Sequence, residues 1–416
     1  MVGAARRRVV AVLAGLVLVA GAGLVVYRVF APGEVLAEPT TGYPAAPTSR
    51  PPAVLGTLPG APLIVDGRLR VVADKRQVRA DGPVDSRYLN TPYWSFRRWP
   101  AELVGVVSAG GTVVTRWSDG VLVGLDARTG RDIWRATGEK PVSTVYAGRR
   151  TGAQTVYAPA GLFVSGDTVV VAGPTSTRTY AAATGVAGWQ TPAEACPGGA
   201  DPTGFTTADG RVAVLSPCAK AVRLFDAGTG DDAGTIDVAT TNETVLEPLG
   251  CTAPRTACGG VRVGGGAWLL SGGVTRPVGP AASDSTAPAR LASPGAFLVN
   301  GLAVTIEGAA VTATAGMDST QVWRRDLDAP GATILAAADR RVYVLTADRD
   351  LVTLDATSGA EVSRFRYTYF AEKTDWAPGY SYTAGGYLLT ERLADLTAKD
   401  DADYYFDAQP VILAVV

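Results

Sequence analysis

The chain has no histidine. That removes Ser-His-Asp and Cys-His hydrolysis, histidine-ligated zinc or haem, and the commonest general base at neutral pH. Carboxylate-pair catalysis stays open but leaves no readable spacing in this sequence. Only four cysteines occur, at Cys196, Cys218, Cys251 and Cys258. None forms a C-x-x-C pair, so zinc is the poorer reading of them and no metal is expected there. Charge of one sign is also missing: 38 basic residues stand against 39 acidic ones. Arg6, Arg7, Arg8 and Arg28 belong to the N-terminal segment, so the remainder is the more acidic part, and nucleic acid is not expected as a partner. Beyond the N-terminal segment, no long stretch keeps apolar residues at helical spacing.

What is present begins with an apolar run. Arg6 to Arg8 precede Val9–Tyr27, 19 uncharged residues. As a helix they would extend about 28 Å, close to the hydrocarbon thickness. The arginines place the short N-terminal side (1–8) in the cytoplasm and the rest outside. The expectation is a single membrane span over 9–29, in contact with lipid, with an extracytoplasmic remainder. The rival is a signal peptide cleaved after Val35-Leu36-Ala37, although its apolar core would be long for one. No cysteine lies nearby, which excludes a lipoprotein anchor. Residues 30–60 are rich in proline, including Pro32, Pro39, Pro44, Pro47, Pro51, Pro52 and Pro59. That composition favours extended backbone and reads as a stalk, with a proline-motif ligand or a glycosylated segment as alternatives.

The remainder, 61–416, is organised around one unit, SDGVLVGLDARTGRDIWRATG (Ser118–Gly138). Val121 to Leu125 read as a strand, Asp126 to Gly130 as a tight turn, and Ile133-Trp134 as the return strand. The turn recurs at Ala181–Gly185, Asp226–Gly230 and Asp355–Gly359, with a degenerate copy ending at Trp323. Aligned at 130, 185, 230, 319 and 359, the steps are 55, 45, 89 and 40 residues. The long step leaves room for an eroded copy near 275, where WLLSGGVTRPVG lies. Strands repeating at roughly 40–50 residues are the signature of propeller blades. Seven blades are expected, with eight as the alternative. The final run 380–416 is expected to complete a blade with the strands of APLIVDGRLRVV, because closing the ring removes sheet edges.

The form A/G-x-D-x-x-T-G-x-x-x-W, carried by Gly124–Trp134, resembles the repeat of the quinoprotein-like (PQQ-like) β-propellers. Partial copies have Ala181 in place of Asp and Ser363 in place of Trp. The resemblance covers about 60–416 and implies an all-β fold in which Trp134, Trp189 and Trp323 dock neighbouring blades. It implies little about activity, since the family spans dehydrogenases, sensors and the assembly factor of outer-membrane barrels. Family dehydrogenases hold the quinone on a tryptophan beside calcium and a catalytic Asp, often under adjacent cysteines. Here no cysteines are adjacent and no Asp matches by motif. The expected role is therefore a non-catalytic scaffold or sensor without a cofactor, whose partner is an envelope protein or cell-wall glycan. A quinone-dependent oxidoreductase or a glycan/small-ligand binder is the alternative.

Two further readings concern side chains. An exported chain with an even cysteine count points to disulfides. Three pairings are possible, and the turn-like positions favour Cys196–Cys218 and Cys251–Cys258. The run Tyr93-Trp94-Ser95-Phe96-Arg97-Arg98-Trp99 is dense in residue types that dominate binding hot spots. Tyr93, Trp94, Phe96, Arg97, Arg98 and Trp99 are the candidate interaction patch, the alternative being that they pack within a blade. Acid-rich Asp226–Asp237 and Lys399–Asp403 lack the glycine and glutamate of a calcium loop and read as solvated turns.

Overall fold

The turn that the repeat is built on shows its chemistry directly. Asp126 Oδ1 accepts hydrogen bonds from the Arg128 N–H (3.0 Å), the Thr129 N–H (2.9 Å) and the Thr129 hydroxyl (3.0 Å). Gly130 closes the turn with its N–H on the Asp126 carbonyl at 2.8 Å, at φ 71°, a conformation that suits glycine. Asp226 and Asp355 repeat the arrangement with Thr229 and Ser358. Where Ala181 replaces the aspartate, the backbone bond from Gly185 survives at 2.8 Å.

The structure is a computed structural model. It describes residues 15–16, 18–23, 33–86, 91–142, 150–193, 196, 201–216, 218, 221–238, 245–252, 255–278, 290–316, 320–368, 375–394 and 405–416. Its strands form eight antiparallel sheets, the blades of one propeller. Blades 1 to 7 run in chain order over Pro62–Trp99, Leu103–Thr137, Leu162–Pro192, Thr203–Asp237, Glu247–Val278, Phe297–Asp326 and Thr333–Arg366. In each, the first strand is innermost and the fourth outermost. The inner strands consequently pack on one another around the axis, as those of blades 6, 7 and 8 do. Blade 8 takes three strands from Ala377–Val415 and its outer strand, β2, from Ala53–Leu58. Strand β2 pairs antiparallel with Val411–Val415, Thr57 opposite Ile412. A further strand, β1 (Gly33–Ala37), lies on the outside of blade 1, Val35 opposite Arg97. The core sits between blades: Val106, Val123, Leu125 and Trp117 are fully buried with Leu63, Val71 and Trp94 of the neighbouring blade.

The blade count is settled and two expectations are corrected. The ring has eight blades, the alternative count, because 377–415 with β2 builds a blade besides that of 62–99. APLIVDGRLRVV accordingly lies inside blade 1 and does not close the ring; β2 does. And the proline-rich stretch at 30–60 is not a free stalk, since both β1 and β2 come from it. Its prolines flank the two strands and stay out of their ladders, where a missing N–H would break pairing. The eroded copy near 275 is the Gly272-Gly273 hairpin of blade 5. Of the segment 9–29, residues 15–16 and 18–23 are helical, and the rest lies outside the described residues. Among the described residues no helix is long and apolar enough to cross a membrane.

Candidate functional site

The blades are joined by a repeated latch. The Trp134 indole N–H donates to the Ala182 carbonyl of the next blade at 2.6 Å, Trp189 to Ala227 at 2.9 Å, and Trp323 to Ala356 at 2.8 Å. Each ring also covers the turn glycine of that next blade. A Cβ added at Gly185, Gly230 or Gly359 would come within 2.6 Å of the indole. In the outer strand of blades 2, 6 and 7 the residue before the latch position bulges out of register, skipping Ile133, Val322 and Val362, which are left exposed. In blades 2 and 6 the bulge turns the tryptophan toward its neighbour.

Trp94 is a fourth latch. It donates to the Ala127 carbonyl at 2.8 Å and covers Gly130. The proposed patch is therefore mostly interior: Trp94, Phe96 and Arg98 are 0%, 3% and 8% exposed. These alternate residues of one strand face blade 2, where Phe96 meets the edge of Trp117. Arg98 forks onto Asp119 (3.1 and 3.0 Å) and reaches Glu34 of β1 at 2.8 Å. Tyr93 and Trp99 are half-buried, Trp99 under the Arg76 guanidinium, and of the six only Arg97 is fully exposed. The second aromatic run behaves likewise, with Tyr367 and Trp376 buried and 369–374 outside the described residues.

The latch also explains the degenerate copies. A tryptophan serves the turn of the following blade, not its own. Blade 7 has Ser363 where blade 2 has Trp134, and blade 8 has no such turn to receive an indole. Blade 4 has Gly234 at that position, and blade 5 offers the short Gly272-Gly273 turn. There a polar latch replaces the aromatic one. Asp209 of blade 4 accepts from the Gly273 N–H at 2.9 Å, and Arg211 donates to the Thr275 hydroxyl at 3.1 Å. Burial pushes the Asp209 carboxyl up, but Arg211, the Thr207 hydroxyl and the Gly273 N–H outweigh it and hold it at about 2.

A short segment after blade 2 bridges the inner strands on one side of the ring. Helix α1 (Ala153–Tyr157) follows blade 2 and lies on the inner strands of blades 1 and 2. The Tyr157 ring stacks on Tyr382 of blade 8, and both hydroxyls donate to the Pro62 carbonyl, Tyr382 at 3.2 Å. Burial drives both phenols well above their ordinary value. Beside them Glu391, 1% exposed, accepts from the Thr151 hydroxyl and from the Tyr380 N–H at 3.1 Å. Next to these residues lies a cavity of about 330 Å³, lined by first-strand residues of blades 5 to 8. Tyr157, Glu247, Arg255, Tyr380 and Tyr382 line it, over Ala336–Ala338.

The four cysteines form two disulfides, Cys196–Cys218 (Cα–Cα 5.6 Å) and Cys251–Cys258 (3.9 Å). Two disulfides fit an oxidising, extracytoplasmic compartment. Cys251–Cys258 closes a loop onto the inner strand of blade 4, where the Cys258 N–H donates to the Thr206 carbonyl at 2.8 Å. The cavity was not legible in the sequence, because its walls come from five segments far apart in the chain.

The residues present do not fit a calcium-bound quinone. Among the described residues, the cavity lining contains no indole for a flat ring to stack on. Among the described residues no group of three or more Cys, Asp or Glu side chains is placed to hold a metal ion. Asp226 is occupied with its own turn, and 399–403 lie outside the described residues.

Fold, latches and repeat define an all-β propeller of PQQ-like repeats. The chain belongs to the family whose model is described as outer membrane protein assembly factor BamB, matched over residues 91–263 and 220–366. No curated protein sequence matches it. Among solved structures it is similar to BamB from Moraxella catarrhalis, at 15% identity and TM-score 0.46 over 88% of this chain and 98% of that one. It is also similar to the computationally designed Ika8 protein (12%, TM-score 0.49, 87% and 99%). A third is the quinohemoprotein alcohol dehydrogenase from Comamonas testosteroni (14%, TM-score 0.44, 87% and 75%).

Proposed function

We propose that this propeller is a non-catalytic scaffold or sensor of the cell envelope, held at the membrane by residues 9–29, with its ring outside the cytoplasm. The observation that carries the reading is the buried junction that joins the helix after blade 2 to blades 1 and 8. Tyr157 and Tyr382 stack and both bond the Pro62 carbonyl, and Thr151 bonds Glu391, so the helix after blade 2 ties blades 1 and 8 together rigidly. A rigid ring presents its rim and loops to a partner at little entropic cost. The family description, an assembly factor, agrees with this role. Strand β1 supports the uncleaved anchor. Cleavage after Ala37 would remove Glu34 from the buried Arg98 and from Arg135 (2.8 and 2.7 Å), uncovering the edge of blade 1.

The test is photo-crosslinking in intact cells, with the reactive residue placed at Arg97, Val186 or Val274, all exposed. The reading expects one envelope protein captured reproducibly from one side of the ring. No capture from any position, together with quinone-dependent dye reduction by the purified protein, would replace it with the oxidoreductase reading.

A further inference from the structure

The cavity lined by the first strands of blades 5 to 8 contains an arginine, Arg255, with no ion-pair partner among the described residues. Arg255 projects from the Cys251–Cys258 loop and lines the cavity. Among the described residues no carboxylate pairs with it. Glu247, whose charge it feels, is claimed by Arg262 through bonds of 3.0 and 2.5 Å. Burial accordingly pushes the Arg255 guanidinium below its ordinary value, and the charges of Tyr380 and Glu247 offset this only in part. A half-buried cation with no ion-pair partner among the described residues favours a bound anion.

The loop is built to hold that side chain in place. Thr252 and Thr256 exchange backbone hydrogen bonds of 2.8 and 2.9 Å across it, and the Arg255 carbonyl accepts from Thr206 at 3.1 Å. Arg255 and Ala257 sit at φ 50° and 51°, a left-handed conformation that non-glycine residues adopt at a cost. The disulfide and the contact with blade 4 hold it there.

We propose that this cavity binds a small organic anion, a carboxylate on a flat apolar body, with Arg255 forking onto the carboxylate. The opposite walls set the rest of the ligand. Tyr157, Tyr380 and Tyr382 supply ring faces and edges, and Ala336–Ala338 an apolar floor. A space of about 330 Å³ lies at the small end of ligand pockets and suits a single-ring body. A phosphate would ask for more donors than one guanidinium and would leave the tyrosine and alanine walls unused. The proposal goes beyond the scaffold reading and stands whether or not a protein partner is found.

The test uses the purified full chain with benzoate, methyl benzoate and inorganic phosphate as probes, followed by calorimetry and thermal melting. Benzoate is expected to bind saturably and to raise the melting temperature, while the neutral ester and phosphate do neither. Arg255→Gln is expected to weaken benzoate by about tenfold or more, the worth of one charge-assisted contact, with Arg255→Lys in between. Ala337→Phe fills the cavity with Arg255 in place and is expected to abolish binding, which keeps the test alive if the Arg255 variant folds poorly. No benzoate binding, equal binding of the ester, or undiminished binding to either the Gln or the Phe variant overturns the proposal.

Discussion

At the scale of the residue, the molecule depends on what each outer strand offers the turn of the following blade. Trp134 is held between Gly124 of its own blade and Gly185 of the next, with its N–H on Ala182. Trp134→Ala is expected to cost about 3–5 kcal/mol, as for other buried aromatic truncations, and Trp134→Phe about 1–2, mainly for the unpaired Ala182 carbonyl. Denaturant titration of the two variants checks both values. Ser363→Trp should give no stabilisation in the same assay, because blade 8 has no turn to receive the ring. Asp209 makes the corresponding polar latch sensitive to acid. Its folded value of about 2 lies below the unfolded value of about 3.9. The stabilisation is thus present above about pH 4 and is lost as the pH falls toward 2. Asp209→Asn should flatten that part of the stability–pH curve, measured by thermal melting, and leave the neutral-to-alkaline limb unchanged in shape. These latches also show what the sequence can disclose. Trp134, Trp189 and Trp323 stand out because each follows a turn copy. Trp94 has no such turn before it, and so its run of aromatics resembles an interaction patch until the partner blade is in place. The Asp209 latch leaves no signature, since Asp209 and Gly273 come together only across an interface.

At the scale of the element, the two N-terminal strands do different work. Strand β2 completes blade 8; without it Val411–Val415 would be an open edge of an apolar sheet, with Ile412 and Ala414 fully buried. Strand β1 adds to a blade that already has four strands, and it is held by Glu34 and by the Glu38–Arg131 ion pair (2.6 Å). A chain beginning at residue 39 is expected to stay folded and to lose about 1–3 kcal/mol, largely from Arg98 left without Glu34. A chain beginning at residue 61 should lose cooperative unfolding or aggregate. Melting curves and size-exclusion profiles of the two truncations distinguish these outcomes. Equal behaviour would mean that β2 does not close the ring. AVLGTL was not legible as a strand because prolines on both sides give its neighbourhood the composition of a linker. Its partner lies more than three hundred residues away, so no local pattern announces the pairing. The hairpins of blades 2, 3, 4 and 7 were legible because their turns are short-range chemistry.

At the scale of the whole molecule, eight sheets share one logic. Each buries its faces against two neighbours, and closure by the N-terminal segment leaves no blade without a fourth strand. The uniform period made the ring legible, while the count depended on whether 62–99 stands alone. The same closure pairs Ala53–Leu58 with Val411–Val415 in one sheet, and under the proposed anchoring the segment before β1 would leave the ring beside blade 1. Protein from membranes should therefore carry an N-terminus upstream of Gly33, which intact mass analysis reads directly. A mature N-terminus after Ala37 would remove β1 and contradict the proposed anchor. The most direct test of the closed ring is hydrogen–deuterium exchange of the Ala53–Leu58 amides. Closure predicts that those bonded to Val411–Val415 exchange as slowly as the central strands of blade 8. Exchange at the rate of an unstructured proline-rich linker would contradict it.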